Sequence, residues 1–147
     1  MIHMAAEYPA NNSLSGTEII RQLISVSPYV AHLGMKLTDM QPGKATLMLP
    51  FNEALITVGK VVHGGAIASL IDTAATAAAW SGAEVPAKVR GSTVSLTVTY
   101  LAPAEKEDIQ ATARVLRRGR SLVYLDIDVQ SAAGTAVAKG LVTYKLG

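Results

Sequence analysis

The sequence predicts a single α+β domain in which an antiparallel β-sheet folds around one long helix. Three observations support this prediction: an apolar segment over 64–81 with one charged residue, four alternating segments after residue 92, and a length of 147 residues. Domains of about 100–150 residues usually contain one core. We therefore treat residues 1–147 as one domain, in which residues 1–29 form an N-terminal extension with a short helix.

The composition excludes several classes of protein. Half of the residues are apolar and 16% are charged, which argues against disorder, and the absence of cysteine excludes disulfides, thiolate metal sites and a cysteine nucleophile. A net charge of +2 is too small to favour nucleic acid as a partner. The longest segments without a charged residue, 22–35 and 91–104, are shorter than the roughly 20 residues that span a membrane. No secretory signal is visible, so we expect a cytoplasmic protein without a membrane partner.

The N-terminal third contains one helix pattern and two strand patterns. Apolar residues at helical spacing predict a helix over 16–27, with Thr17 as its N-cap. Residues 33–41 and 44–51 have the composition of two strands, and the Pro42-Gly43 pair between them is a turn signal. Residues 52–62 show no regular pattern.

After residue 63, the sequence pattern indicates one helix followed by several strands. The helix pattern over 64–81 is followed by the stop signal Gly82. Apolar residues then alternate over 93–100, 109–115, 123–129 and 135–146, with turn signals at Arg118-Gly119 and Gly134. Consecutive strands joined by short turns predict an antiparallel sheet.

The 64–81 helix has one charged residue, Asp72, and alanine, isoleucine, leucine and tryptophan around most of its circumference. This composition predicts that the whole helix is buried. Ser69, Asp72, Thr73 and Thr76 are spaced so that they form one narrow polar stripe. A buried carboxylate is costly without a partner, and no residue within a turn of Asp72 can pair with it. Asp72 is therefore either a structural contact to a hydroxyl or a backbone group, or a general base or nucleophile in a cleft.

His63-Gly64-Gly65 begins the same helix. The first N–H groups of a helix are unpaired and carry partial positive charge, and glycines allow another group to approach them closely. This arrangement suits an oxyanion hole or an anion site, although a glycine-containing helix start is often only a turn. Because the sequence has no Gly-x-Ser-x-Gly motif, a serine triad is not expected.

Taken together, three segments resemble the hotdog-fold thioesterases, and in particular the phenylacetyl-CoA thioesterase-like (PaaI-like) branch. The segments are His63-Gly64-Gly65 followed by Asp72, TVSLTVTYLAP over 93–103, and Arg-Arg-Gly-Arg over 117–120. The resemblance covers roughly residues 30–146. It implies a sheet wrapped around the central helix and hydrolysis of acyl-CoA thioesters. It also implies active sites built from two subunits, in a homodimer or in a tetramer that is a dimer of dimers.

The resemblance also implies roles for individual residues. Asp72 matches the catalytic carboxylate, Gly64 the backbone N–H that polarises the thioester carbonyl, and Thr93 a hydroxyl contributed by the opposing subunit. Thr57 occupies a position where the family often has asparagine, which changes the hydrogen bonds available for positioning water or substrate. The remaining residues line the same loop or the path of CoA: His63, Gly65, Tyr100, Arg117, Arg118, Gly119, Arg120 and Ser121.

Several alternatives remain open at this point. The arginines of the 117–120 segment form either a phosphate clamp for CoA or a solvated hairpin tip. The protein is either a thioesterase or a non-catalytic acyl-CoA-binding hotdog protein, and the third candidate, a hydratase or dehydratase, lacks the expected histidine and acid pair. We expect no cofactor, because CoA is part of the substrate, and no metal, because His3 and His32 lack ligand partners at suitable spacing. The acyl group is not predicted: aromatic, short and medium-chain groups all fit.

Overall fold

The computed structural model describes residues 14–85 and 89–147, so the first part of the predicted N-terminal extension, which includes His3, lies outside the described residues. The helices are α1 (Gly16–Val26), α2 (Pro28–Leu33) and α3 (Gly64–Trp80), with a 3₁₀ turn at Glu53–Leu55. The strands are β1 (Lys36–Gln41), β2 (Lys44–Leu49), β3 (Ile56–Val58), β4 (Val61–Val62), β5 (Gly91–Tyr100), β6 (Ile109–Arg118), β7 (Leu122–Ser131) and β8 (Ala136–Leu146).

Six strands form one antiparallel sheet in the order β1-β2-β6-β7-β8-β5, and β3 and β4 form a separate hairpin. α3 packs across one face of the large sheet, on β2, β6, β7 and β8. The close approach needs a glycine, since a Cβ atom at Gly140 of β8 would lie 2.7 Å from Ile71 Cγ2. The predicted α+β arrangement of a sheet around one long helix is confirmed.

The position of β5 differs from a simple succession of hairpins. β5 pairs with β8, not with β6, and therefore lies at the edge of the sheet. After Pro103, the connecting segment passes β4, where Glu105 pairs with Val61, before it enters β6. Alternation identifies strands but not their neighbours, because pairing between distant strands depends on where the connecting segment runs.

In the N-terminal region, the structure differs from the sequence prediction at two points, the N-cap of α1 and the start of β1. Ser15, not Thr17, is the N-cap of α1, because Ser15 Oγ accepts from Glu18 N and the Glu18 carboxylate accepts from Ser15 N. Thr17 instead accepts a hydrogen bond from Gly82 N. The predicted strand over 33–41 begins only at Lys36, because α2 occupies residues 28–33 and ends at a left-handed Gly34 with φ of 74°.

The prediction that all of α3 is buried is wrong at its N-terminal half. The C-terminal half lies fully in the core, where Trp80 Nε1 donates a 3.0 Å hydrogen bond to the Tyr144 hydroxyl and α1 covers the helix. Nearer the N-terminus, one side of α3 is at least partly open to solvent, and we call it the exposed stripe: Gly65, Ala68, Ser69 and Asp72. No helix in the described ranges is long and apolar enough to cross a membrane.

Candidate active site

His63 shapes the start of α3 through its ring. It is the N-cap residue, and its Nδ1 accepts a 2.8 Å hydrogen bond from Gly65 N. Because Nδ1 is the acceptor, the neutral ring carries its proton on Nε2. Gly65 N–H is thus already paired, whereas the amide of Gly64 donates to no group among residues 14–85 and 89–147. Of the two predicted glycines, Gly64 is the one that offers a free donor.

Tyr100 closes the other side of this helix start. Its hydroxyl donates a 2.7 Å hydrogen bond to Gly64 O, and a Cβ atom at Gly64 would lie 3.2 Å from Tyr100 Cζ. Tyr100 comes from the end of β5, so the edge strand and the helix start are joined here. The structure thus assigns Tyr100 a contact with the candidate oxyanion loop, in addition to the CoA path that the resemblance implies.

Asp72 lies in the middle of α3 and is partly exposed. Thr93 Oγ1, at a β-bulge in β5, donates a 2.6 Å hydrogen bond to Asp72 Oδ1. Asp72 has no other hydrogen bond or ion pair within the described part of the chain, so Oδ2 is free and no arginine neutralises the carboxylate. The contact with Thr93 is the hydroxyl contact expected of a structural aspartate. The free Oδ2 at a solvent-accessible face is what a general base or nucleophile needs.

The predicted polar stripe does not act as one unit. Ser69 Oγ donates to Gly65 O and Thr73 Oγ1 to Ser69 O, both at 2.8 Å, so these hydroxyls pair with carbonyls of their own helix. The Thr76 hydroxyl is buried without a partner among the described residues. Only Asp72 keeps an unpaired polar atom on the exposed stripe.

Gly64 and Asp72 are too far apart to act on one thioester within one chain. Gly64 and Asp72 are eight positions apart, which corresponds to about 12 Å along a helix axis. An oxyanion donor and a base act on the oxygen and the carbon of one carbonyl group, which are only about 1.2 Å apart. Within one chain, the Gly64 amide and the Asp72–Thr93 pair are therefore two separate groups, and we call each of them a candidate half-site. Thr93 belongs to the same half-site as Asp72, because it bonds Asp72 of its own chain.

The β6–β7 turn forms an open concavity of about 450 Å³. Four of the five predicted residues of the 117–121 segment line it, together with two that the sequence did not single out; the full lining is Arg117, Gly119, Arg120, Ser121, Leu122 and Tyr124. Tyr124 is a residue that strand alternation could have placed on this face. Two exposed guanidinium groups beside an aromatic ring are suited to a phosphorylated nucleotide.

Arg118 is the exception in this segment. Its Nη1 donates a 2.8 Å hydrogen bond to Ala79 O, near the C-terminal end of α3. Partial burial lowers the pKa of Arg118. Carbonyls at a helix C-terminus are unpaired and carry partial negative charge, so a cation is stabilising there. Arg118 therefore joins the turn to the helix and does not line the concavity.

Thr57 lies in β3, at the irregularity in the pairing with β4, and its side chain is exposed. The same hairpin region positions the helix start, because His63 N donates a 2.7 Å hydrogen bond to Leu55 O. The Thr57 hydroxyl has no hydrogen bond to any described residue, which leaves it available to a ligand.

Comparisons with known proteins identify the family of this chain. The family model of the thioesterase superfamily matches residues 59–138. Acyl-coenzyme A thioesterase 13 of Homo sapiens is 30% identical over 133 residues, 88% of this chain and 93% of the relative. A thioesterase family protein from Silicibacter pomeroyi has a TM-score of 0.82 at 27% identity, covering 90% of this chain and 100% of that one.

The PaaI protein of Escherichia coli, from the phenylacetic acid degradation operon, shares the fold with a TM-score of 0.76 at 22% identity, covering 86% of this chain and 89% of that one. The family match spans more than half of the chain and includes α3 with its helix start and Asp72. The chain belongs to the thioesterase superfamily, whose chemistry is the hydrolysis of thioesters, and it has the hotdog fold.

Proposed function

We propose that the protein hydrolyses acyl-CoA thioesters to a free acid and CoA, at sites shared by two copies of the chain. One observation carries the proposal: the Asp72 carboxylate is held through one oxygen by Thr93 and presents the other on the exposed stripe, without a neutralising cation in the described ranges. The human relative's name, acyl-coenzyme A thioesterase 13, supports CoA as the thiol component.

In the proposed reaction, Asp72 takes a proton from water, whose oxygen adds to the thioester carbon, or attacks that carbon directly to form an anhydride that water then cleaves. In either route the carbonyl oxygen receives an electron pair and is stabilised by the Gly64 N–H of the other copy. The C–S bond then breaks, and the electron pair leaves with the CoA thiolate. A thiolate leaves without obligatory protonation, which suits a site without a strong general acid.

A second copy is required because each chain contributes one half of each site. β5 is suited to this pairing, since it is a ten-residue edge strand with Val94 57% exposed and Leu96 38% exposed. An unpaired apolar edge is an aggregation hazard that a second chain can cover. β5 also contains Thr93, so pairing at this edge brings the other copy close to Asp72. The proposed active unit is a homodimer, and two dimers can pair into a tetramer.

The concavity at the β6–β7 turn is the proposed site for the phosphates of CoA. Arg117 and Arg120 line it, and guanidinium groups pair with phosphate oxygens in a bidentate geometry. Gly119 and Ser121 also line the concavity.

A thiol-release assay over a panel of acyl-CoAs, run with the parent and with Asp72→Asn, tests the proposal. We expect hydrolysis by the parent and a loss of at least about 10²-fold in kcat for the variant, as is typical for a missing general base. Asp39→Asn, in the strand at the opposite edge of the sheet, is the matched control and should retain parent activity. Tight binding of acyl-CoA without thiol release by the parent would instead identify a binding protein.

A further inference from the structure

Tyr29 links the N-terminal helices to the exposed stripe of α3. Val30 and Leu33 on α2 are buried in the core, and Ser27 caps α2 by accepting from Val30 N, so this short helix is anchored to the rest of the domain. The Tyr29 side chain is 54% exposed, yet its hydroxyl lies 2.8 Å from Ser69 Oγ. The ring is therefore fixed at its polar end and open along its apolar faces.

The direction of this hydrogen bond follows from the proton count. A serine hydroxyl has one proton, and that of Ser69 goes to Gly65 O. The Tyr29 hydroxyl is therefore the donor and Ser69 Oγ the acceptor. The resulting chain from Tyr29 through Ser69 to Gly65 connects α2 to the first turn of α3.

Ser69 lies between the two half-sites. It is four residues after Gly65 and three before Asp72, so it shares one face of the helix with both. Three residues correspond to about 4.5 Å along the axis, which places the Tyr29 hydroxyl within about one turn of the Asp72 level. A group attached to a carbonyl carbon near Asp72 can therefore extend along the exposed stripe toward Tyr29.

We propose that Tyr29 is a specificity-determining residue whose ring forms a wall of the acyl site, at a position set by its hydrogen bond to Ser69. This inference rests on the proposed thioester hydrolysis. An aromatic ring gives an acyl chain apolar contact area, and a rigid wall limits the chain length or bulk that fits. Removal of the ring should therefore enlarge the site and shift the preference toward longer or bulkier acyl groups.

The test measures kcat/KM for straight-chain and arylacetyl-CoA substrates of increasing size, with the parent, Tyr29→Ala and Tyr29→Phe. We expect Tyr29→Ala to change the ratio of kcat/KM between the largest and smallest substrates by at least about tenfold, in favour of the largest. Tyr29→Phe keeps the ring but removes the hydrogen bond to Ser69 that positions it, so its ratio should lie between those of the parent and Tyr29→Ala. Leu141→Ala is the matched control, because Leu141 is also 54% exposed but points away from α3 on the other face of the sheet.

Calorimetric binding of the corresponding non-hydrolysable thioethers to the same variants provides a second readout. A parent that releases no thiol contradicts the proposed hydrolysis, whereas a Tyr29-dependent effect of acyl size on Kd still supports the acyl wall. Unchanged size profiles in both assays for a folded Tyr29→Ala protein would overturn the inference. Loss of the dimer in light scattering for Tyr29→Ala, with an unchanged size profile, would also overturn the inference, because Tyr29 would then be an interface residue.

Discussion

Thr93 Oγ1 donates a 2.6 Å hydrogen bond to Asp72 Oδ1 and thereby joins the edge strand β5 to the central helix. The bond holds one carboxylate oxygen and leaves the other free, so it orients Asp72 without occupying it. Because β5 is also the free edge of the sheet, the same strand connects the candidate catalytic group with the surface proposed for pairing.

Replacement of Thr93 by valine should lower kcat by about tenfold or more with little change in KM, because a hydrogen bond to a charged group contributes about 1.5–3 kcal/mol. Thr93→Ser keeps the hydroxyl and should recover most of the rate. Steady-state kinetics of thiol release measure both variants. A serine variant as slow as the valine variant would show that the hydroxyl is not what matters.

Gly64→Pro and Gly64→Ala form a pair that isolates the amide proton. Both add a Cβ atom beside the Tyr100 ring, but only proline removes the N–H, and the extended backbone of His63 before it accepts a proline at the first helical position. We expect the kcat of Gly64→Pro to be lower than that of Gly64→Ala by a factor of about 10²–10³. Equal rates for the two variants would exclude the amide as the oxyanion donor.

Mixing of two inactive variants tests the shared site. In a mixed dimer of Asp72→Asn with Gly64→Pro, one site combines the intact Gly64 of one chain with the intact Asp72 of the other. Random pairing should therefore restore about one quarter of the parent activity, since half of the dimers are mixed and each has one intact site of two. Co-expression with two affinity tags yields the pure mixed dimer, which should have about half of the parent activity. A mixed dimer without activity would place both groups in the same chain's site.

The arginines of the β6–β7 turn should separate into two classes. Arg117→Ala and Arg120→Ala should raise KM for acyl-CoA by about three- to tenfold, with a smaller effect at high salt, because exposed ion pairs are weak and screened. Arg118→Ala should leave KM unchanged and lower the thermal midpoint, because its partner is Ala79 O. Thermal unfolding beside the kinetics checks this division, and a raised KM for Arg118→Ala would contradict it.

Tyr144 makes stability sensitive to alkaline pH. Burial raises the pKa of Tyr144 to about 12, the charge of Asp72 adds to this effect, and the hydrogen bond from Trp80 opposes it. The unfolded chain loses this proton near pH 10, whereas the folded chain keeps it until about pH 12. Stability from this group is therefore complete below pH 10 and falls by about 3 kcal/mol as the pH rises through 12.

Denaturant unfolding at pH 9 to 12 measures this loss in the parent and in Tyr144→Phe. The variant leaves Trp80 Nε1 without its acceptor, so it should be less stable at pH 9 and lose less stability above pH 10. Lys139, whose pKa is raised by hydrogen bonds to Asp126 and Asp128, titrates in both proteins and cancels in the comparison. Parallel pH profiles would contradict the assignment to Tyr144.

Local patterns were sufficient for the fold class and for the start of the helix that contains the candidate site. A helix whose only charged residue is Asp72 is too apolar to face solvent, so other elements cover it. The alternating segments that follow it in the sequence supply the covering sheet. The start of α3 at His63 followed from the same local chemistry, because helix termini and glycines act within a few residues. Ser27-Pro28 is an equally local signal, an N-cap with proline at the first helical position, and it indicates α2, which the sequence prediction did not include.

Contacts between residues distant in sequence needed the folded chain. No pattern indicates that Thr93 bonds Asp72 of its own chain, that Arg118 turns to Ala79, or that Tyr29 reaches Ser69, since each contact joins residues at least 21 positions apart. Such pairs depend on strand order and on the path of the connections, which are set by the packing of the whole domain. The spacing between Gly64 and Asp72 is visible in the sequence. The open side of α3 on which the two half-sites lie is not, because it exists only where the sheet and α1 leave part of the helix uncovered.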